Sequence, residues 1–231
     1  MNSLPVLRQR LPCDNQFPRH RHRSAYAAIV LAGRYLEASE LGRRWLGPGD
    51  VALHAPFAAH LNRIGAAGAS ILNLPVTGIG GTADSFGCAT DPDAIARLAR
   101  DNAADAAALL QSMFRPTPAQ CLDWPDRLAL ELAVNPALPL ADWARQQGLS
   151  PETISRGFRA VFGVTPKRMR YEVRARRALH AVTDTHDPLV QIALETGFAD
   201  QARMTNAVRD ISGRPPGFWR IASSAVKTGA A

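Results

Sequence analysis

The chain has 231 residues, 46% of them apolar and 20% charged, which suits two small globular domains and excludes wholesale disorder. Its formal net charge of +7 favours a polyanionic partner. Three scattered cysteines, Cys13, Cys88 and Cys121, form no CxxC pair, which argues against a disulfide framework or a thiolate zinc site.

Free thiols fit a reducing cytoplasm, and the sequence has neither an apolar run near membrane-spanning length nor an apolar leader. A cytoplasmic protein with no membrane partner is the expectation. From residue 25 to 75 the pattern predicts short strands at 25–31, 34–38, 43–46, 51–54, 60–64 and 70–74, separated by Gly33, residues 40–42, Gly47-Pro48-Gly49-Asp50, Pro56 and residues 65–68. Such spacing argues for a compact antiparallel barrel or sandwich. The Gly/Thr-rich stretch 77–82 loosens the pattern.

A helix is predicted next. Asp91 is a good N-cap and Pro92 suits the first helical position. Ile95, Leu98, Ala99, Ala106, Leu109, Leu110 and Met113 then recur at helical spacing until Arg115-Pro116-Thr117-Pro118 stops the run. The stripe must bury itself against the barrel or against a second subunit, and periodicity alone leaves both open.

From Trp124 onward the chain reads as all-helical, and one pattern occurs twice. Ala144, Gly148, Leu149, Ile154, Phe158, Gly163 and Pro166 are matched by Ala193, Gly197, Phe198, Met204, Val208, Gly213 and Pro216. The first three positions are offset by 49 and the last four by 50, so the second copy has one extra turn residue, Ala199. Each copy outlines a short helix, a glycine-containing turn and a second helix, which is a helix-turn-helix. Helices are predicted at 125–134 and 166–182, the latter joining the two copies, with Met169, Val173, Leu179 and Val182 inward and its arginines outward. At about 1.5 Å per residue, that connector could hold two reading heads near one DNA turn apart.

Charge is focused on the repeat. Between Arg145 and Arg177 nine basic residues face two acidic ones, an excess of seven that equals the net charge of the whole chain. Ser150 and Asp200 are expected N-caps of the two second helices. With Ile154, Phe158 and Val161 inward, Glu152, Thr153, Ser155, Arg156 and Arg159 are left on the outer face of the first. In the second copy the outer face carries Gln201, Ala202, Arg203, Thr205, Asn206 and Arg209. These are side-chain types that meet base edges: arginine is bidentate to guanine, Asn and Gln suit adenine, and Glu accepts from cytosine. Lys167, Arg168 and Arg170 are the expected phosphate contacts, which position without specifying. For any one residue a solvated helix face is the competing explanation, but repeat, caps and charge coincide.

The runs 140–144, 148–151, 154–158, 162–166 and 174–178, with Ile192-Ala193, residues 197–201, residues 213–216 and Arg220, resemble the DNA-binding domain of AraC/XylS-type transcriptional regulators. The resemblance implies seven helices and two helix-turn-helix units entering adjacent major-groove segments. It places the base contacts on Glu152, Ser155 and Arg156, and on Ala202, Arg203 and Asn206. Ala202, Met204, Asn206 and Val208 depart from the family's usual Ser, Phe, Arg and Phe, so the second head is expected to pack less tightly and to add less specificity. Gly157 within a helix costs about 1 kcal/mol against alanine unless close packing requires it.

The N-terminal part resembles the cupin-like sensor of the same family, through His20-Arg21-His22, then residues 46–51, Pro56 and His60. Cupins that bind metals use an HxH pair, a carboxylate and a later histidine. His20 and His22, alternate residues of a strand, could both aim into a barrel, with His60 completing three. The carboxylate expected soon after the pair is absent, Glu37 and Glu40 lie further along, and Arg19, Arg21 and Arg23 would repel a cation. An organic-ligand pocket at His20, His22, Tyr35 and His60 is expected, with no metal and no cofactor, and a merely structural vestige is the competing reading of the same residues. Tyr26, Tyr35 and Trp45 suit core packing as well as a pocket.

The expected fold is α+β multidomain: a small antiparallel cupin-like β-barrel at 1–88, a helical linker at 89–120 suited to dimerisation, a tandem helix-turn-helix domain at 121–222 and a flexible tail at 223–231. The expected function is sequence-specific DNA-binding transcriptional regulation, with the barrel sensing a small molecule. Double-stranded DNA, RNA polymerase, a small-molecule effector and a second copy of the chain are the expected partners. The alternatives are a metal-dependent cupin enzyme with an accessory DNA-binding domain, and an architectural DNA-binding protein without sequence preference.

Overall fold

The computed structural model describes residues 6–76, 85–118 and 120–228, so the stretch at 77–82 lies outside it. The chain divides into two compact units, one running to Leu130 and including Ala160–Gly163, and another holding Glu131–Arg159 and the residues from Val164 on.

The first unit is built on one eight-stranded antiparallel sheet. Its strands are β1 (Arg8–Leu11), β2 (Gln16–Arg21), β3 (Tyr26–Ser39), β4 (Gly42–Leu46), β5 (Asp50–His54), β6 (Ala59–Pro75), β7 (Ser85–Ala89) and β8 (Phe114–Pro116). The pairing order is β1-β6-β3-β5-β7-β8, with β2 also on β6 and β4 also on β3. The antiparallel expectation holds, although among the described residues the ladder is open at its two ends rather than closed into a barrel.

The strands expected at 25–31 and 34–38 are one, β3, and those expected at 60–64 and 70–74 are one, β6. Glycine reads as a strand breaker, but here it bends two long strands together. Gly33 and Gly68 both have positive φ, and a Cβ on Gly33 would lie 2.1 Å from the Gly68 carbonyl oxygen. Only glycine permits that approach, and the register shifts beside it bend the ladder. Strands β1, β7 and β8 carry little alternation, and the sequence did not reveal them; the strand expected around His20 is β2, which ends at Arg21.

Side-chain parity assigns the two sheet faces. Ala27, Ile29, Val51, Leu53, Leu72 and Leu74 pack against α1 (Pro92–Leu98) and α2 (Ala103–Met113) through Ile95, Ala99, Ala106 and Leu110. Tyr26, Ala28, Val30, Ala52 and Ile71 face the other way. Covering on both faces explains why 26–30 is a continuous apolar run instead of an alternating one. The single helix expected up to Met113 is two, because Asn102 caps a new start, accepting from the Ala104 and Asp105 amides. The Asp91 cap is present, accepting from the Ala94 amide at 2.8 Å.

One buried clamp went unread in the sequence. Asp126, fully buried near the start of α3 (Trp124–Val134), accepts from the Arg43 amide at 2.9 Å, from Arg43 Nε at 3.1 Å and from Arg43 Nη2 at 3.0 Å. It also accepts from the Leu122 amide, and Asp123 pairs with the same guanidinium. A buried carboxylate is tolerable when its lone pairs are taken this fully.

The second unit is helical: α4 (Leu140–Gln146), α5 (Pro151–Phe162), α6 (Pro166–Asp184), α7 (Leu189–Glu195), α8 (Gln201–Ser212) and α9 (Pro216–Thr228) follow the end of α3. With α3 they make the seven described helices that the resemblance implies. α9 runs to Thr228, into the stretch expected as a flexible tail.

Candidate nucleic-acid interface and histidine-lined cavity

The repeated sequence folds as two repeated motifs. α4 and α5 form the first helix-turn-helix, and α7 and α8 the second. Gly148 and Gly197 occupy the turns with φ of 65° and 81°, a conformation that side chains resist. Ser150 Oγ accepts from the Thr153 amide at 3.1 Å and Asp200 Oδ1 from the Arg203 amide at 2.8 Å, so both expected caps are formed. The inner faces are filled by Ile154 and Phe158 in α5 and by Met204, Ala207, Val208 and Ile211 in α8, all buried. Despite its departures from the family's aromatic pattern, the second head buries its inner positions fully.

The outward faces carry the polar set. Glu152, Arg156, Arg159, Lys167, Gln201, Arg203, Asn206 and Arg209 are exposed, while Thr153, Ser155, Arg168 and Thr205 are half-buried. None is in the core.

The arginines of α6 do not simply face outward, as the sequence pattern suggested. Arg170 donates to the Leu138 carbonyl at 3.1 Å, Arg174 to Pro136 at 2.7 Å, and Arg177 to Ala133 and Val134. They satisfy carbonyls at and just beyond the C-terminus of α3, which have no helical partner. The Arg174 side chain also lies against the second turn, 3.2 Å from where a Cβ on Gly197 would be. Arg168 joins Glu172 at 3.0 Å and Asp210 of α8 at 2.7 Å. Much of the charge counted along the repeat thus binds the helical unit together, while Arg156, Arg159, Lys167, Arg203 and Arg209 are among its exposed cations.

In the sheet unit three cross-strand pairs build a cavity of about 470 Å³: His20 opposite His60, Tyr26 opposite His54, and Glu37 opposite Asn62. All four residues expected to line a pocket, His20, His22, Tyr35 and His60, do line it. His54, which the sequence reading missed, lines it with Tyr26 and Glu37; no local spacing links position 54 to position 20, and only register brings them together.

One ring nitrogen from each of His20, His22 and His60 lies within 4.8 Å of the others, whereas Glu37 and His54 stand outside that triad. His20 Nδ1 donates to the Pro18 carbonyl at 2.8 Å, which leaves Nε2 with the lone pair. His60 Nε2 is 3.4 Å from the Tyr26 hydroxyl, and His60 Nδ1 is buried with no hydrogen-bond partner. Burial, reinforced by the neighbouring His22 and His20, pushes His54 down to about 3, so its 3.5 Å contact with Glu37 joins a neutral imidazole to the carboxyl group. Burial also holds His60 well below the usual histidine range, with His54, His20, His22 and Arg19 adding to it. His20 is lowered by burial, partly offset by its bond to Pro18. Burial and Glu37 raise the Tyr35 hydroxyl well above its ordinary value. His20, His54 and His60 therefore present neutral imidazoles to the cavity at neutral pH.

Comparison with known families matches residues 143–221 to a helix-turn-helix domain. No curated protein matches the chain. Among solved structures the chain is similar to ToxT from Vibrio cholerae O395, at 9% identity over 93% of this chain and 95% of that one, with a TM-score of 0.43. It is also similar to the C-terminal domain of AraT, a response regulator from Geobacillus stearothermophilus, at 21% identity over 42% and 84%, with a TM-score of 0.39. A probable AraC family transcriptional regulator from Rhodopseudomonas palustris CGA009 is similar at 21% identity over 40% and 89%, with a TM-score of 0.37.

Proposed function

We propose, from a helical unit whose residues 143–221 form an AraC-type helix-turn-helix domain, that this chain is a sequence-specific DNA-binding regulator of transcription. The carrying observation is the duplicated motif itself: two capped second helices, each with its apolar face buried and its Arg, Asn, Gln, Ser and Thr side chains outward. Arg156 and Ser155 read bases in the first head, Arg203 and Asn206 in the second, and Lys167 holds phosphate. Glu152, Thr153, Arg159, Gln201, Thr205 and Arg209 border these contacts. Arg168 acts indirectly, by fixing α8 on α6.

The sheet unit is the sensor in this reading. Its cavity falls within the roughly 300–1,000 Å³ of small-molecule sites and combines apolar walls with a few convergent polar groups. An effector acts through its differential affinity for two states of the protein. A second copy of the chain and RNA polymerase are the further partners, and the work is done in the cytoplasm without catalysis.

Selection of bound sequences from a random DNA pool by the full chain tests this. We expect a defined site bound about a thousandfold tighter than random duplex. A ratio near one would leave an architectural DNA-binding protein instead.

A further inference from the structure

We propose that a cleft between the C-terminal end of α6 and the middle of α9 binds a phosphate-type oxyanion, gripped by Arg220 and His186. None of the residues that line it belongs to the histidine-lined cavity or to the outer faces of α5 and α8. The same chemistry has two sources, a phosphate of the DNA backbone and a free phosphate ion, and only the first rests on the regulator reading.

The cleft has a volume of about 200 Å³, below the roughly 300–1,000 Å³ of drug-sized sites. Its polar walls are Thr183 of α6, Thr185 and His186 just beyond it, and Arg220, Ser223 and Ser224 of α9. No carboxylate lines it among the described residues. A fixed cation, an imidazole and hydroxyls, with no acid among them, favour an anion over a cation or an apolar guest.

Arg220 is the centre of this set. Its Nη2 donates to the Asp187 carbonyl at 2.8 Å, while its Nε is buried with no hydrogen-bond partner. A guanidinium binds an oxyanion through two parallel N–H groups, and an oxygen on this edge would supply the acceptor that Nε lacks. Ser223 and Ser224 both donate to the Arg220 carbonyl, at 3.0 and 2.9 Å. Either hydroxyl can therefore turn to a ligand and leave that carbonyl satisfied. Thr183 also lies 3.2 Å from the Asp184 carboxylate, which opposes an anion. That carboxylate is paired with His180 and is not part of the cleft wall.

The position suits a backbone phosphate. In a helix-turn-helix the first helix crosses the DNA backbone, and α7 is the first helix of the second head. Arg220 holds the carbonyl of Asp187, the residue before the α7 N-cap Pro188. A phosphate bound here would position the second head without adding base preference.

The test titrates tag-free full-length protein with sodium orthophosphate in chloride buffer at constant ionic strength, followed by calorimetry and by the His186 ring-proton resonances. A second arm measures binding to the selected DNA site as a function of salt. Ser223→Asp sets a carboxylate beside Arg220. A free ion is the source if one equivalent of phosphate binds and Ser223→Asp weakens it by more than about tenfold. The DNA backbone is the source if Ser223→Asp lowers the salt slope by about one with base preference unchanged. A single methylphosphonate in the site should then abolish the difference between the two proteins. His186 is exposed, so His186→Ala, expected to weaken either interaction by more than about threefold, decides if Ser223→Asp does not fold. If the folded variants alter neither phosphate binding nor the salt slope, the proposal is overturned. If no DNA site is selected, the regulator reading fails and the orthophosphate arm alone decides the cleft.

Discussion

In the sheet unit His22, Glu37, Arg44, His54, His60, Asn73 and Asp126 are all buried, whereas among the described residues of the helical unit the buried polar side chains are Glu172 and Ser212. Backbone chemistry explains the contrast. A β-ladder satisfies its own amides and carbonyls and sets side chains of adjacent strands face to face, so polar groups can find partners inside. A bundle of short helices buries narrow apolar stripes and turns everything else to solvent. The first arrangement suits a small guest in an interior, and the second suits a polar surface laid against a large polyanion.

The largest expected effects are on stability, one in each unit. Asp126→Ala leaves the Arg43 guanidinium to Asp123 alone and the Arg43 and Leu122 amides without their acceptor, and should cost about 3–5 kcal/mol in urea unfolding followed by circular dichroism. A loss below about 1 kcal/mol would show that the clamp is dispensable and that the sheet unit does not depend on its buried charge. Phe158→Ala opens the core of the first head and should cost a similar ~3–5 kcal/mol, with loss of site-specific DNA binding. Retained DNA selectivity would mean that the second head reads alone.

Arg156→Ala comes next. It should weaken the selected site by about 1–3 kcal/mol and relax base choice in one half of it, as measured by competition binding. Unchanged selectivity would rule out the orientation assigned to α5.

The smallest effects separate surface charge from structural charge. Lys167→Ala should weaken binding to every duplex alike and reduce the salt slope by about one. Arg168→Ala should instead lower the thermal stability of the helical unit, because its guanidinium is held by Glu172 and Asp210. If the two variants behaved identically in the salt titration, Arg168 would be a phosphate contact after all.

Much of the helical unit was legible in the sequence, because helix signals are local. Caps at Ser150 and Asp200, turn glycines at positions 148 and 197, and the inward stripe of Met169, Val173, Leu179 and Val182 all lie within a few residues of what they control. The roles of Arg168, Arg170, Arg174 and Arg177 were not legible. A basic residue on a helix looks the same whether its partner is phosphate, a carbonyl or a carboxylate. In the sheet, local turn signals misled where Gly33 and residues 65–68 proved to be bends in continuous strands.

By itself the sequence determined that two helix-turn-helix units with polar outer faces follow a β-rich half, since periodicity, caps and a fifty-residue echo are properties of neighbours along the chain. Only the tertiary structure decided which distant side chains meet. Strand register set His20 against His60 and Tyr26 against His54, and packing closed Asp126 around Arg43 and Arg168 onto Asp210. Those contacts span tens of residues, and their partners are fixed by how strands align and helices pack, which no local stretch of sequence records.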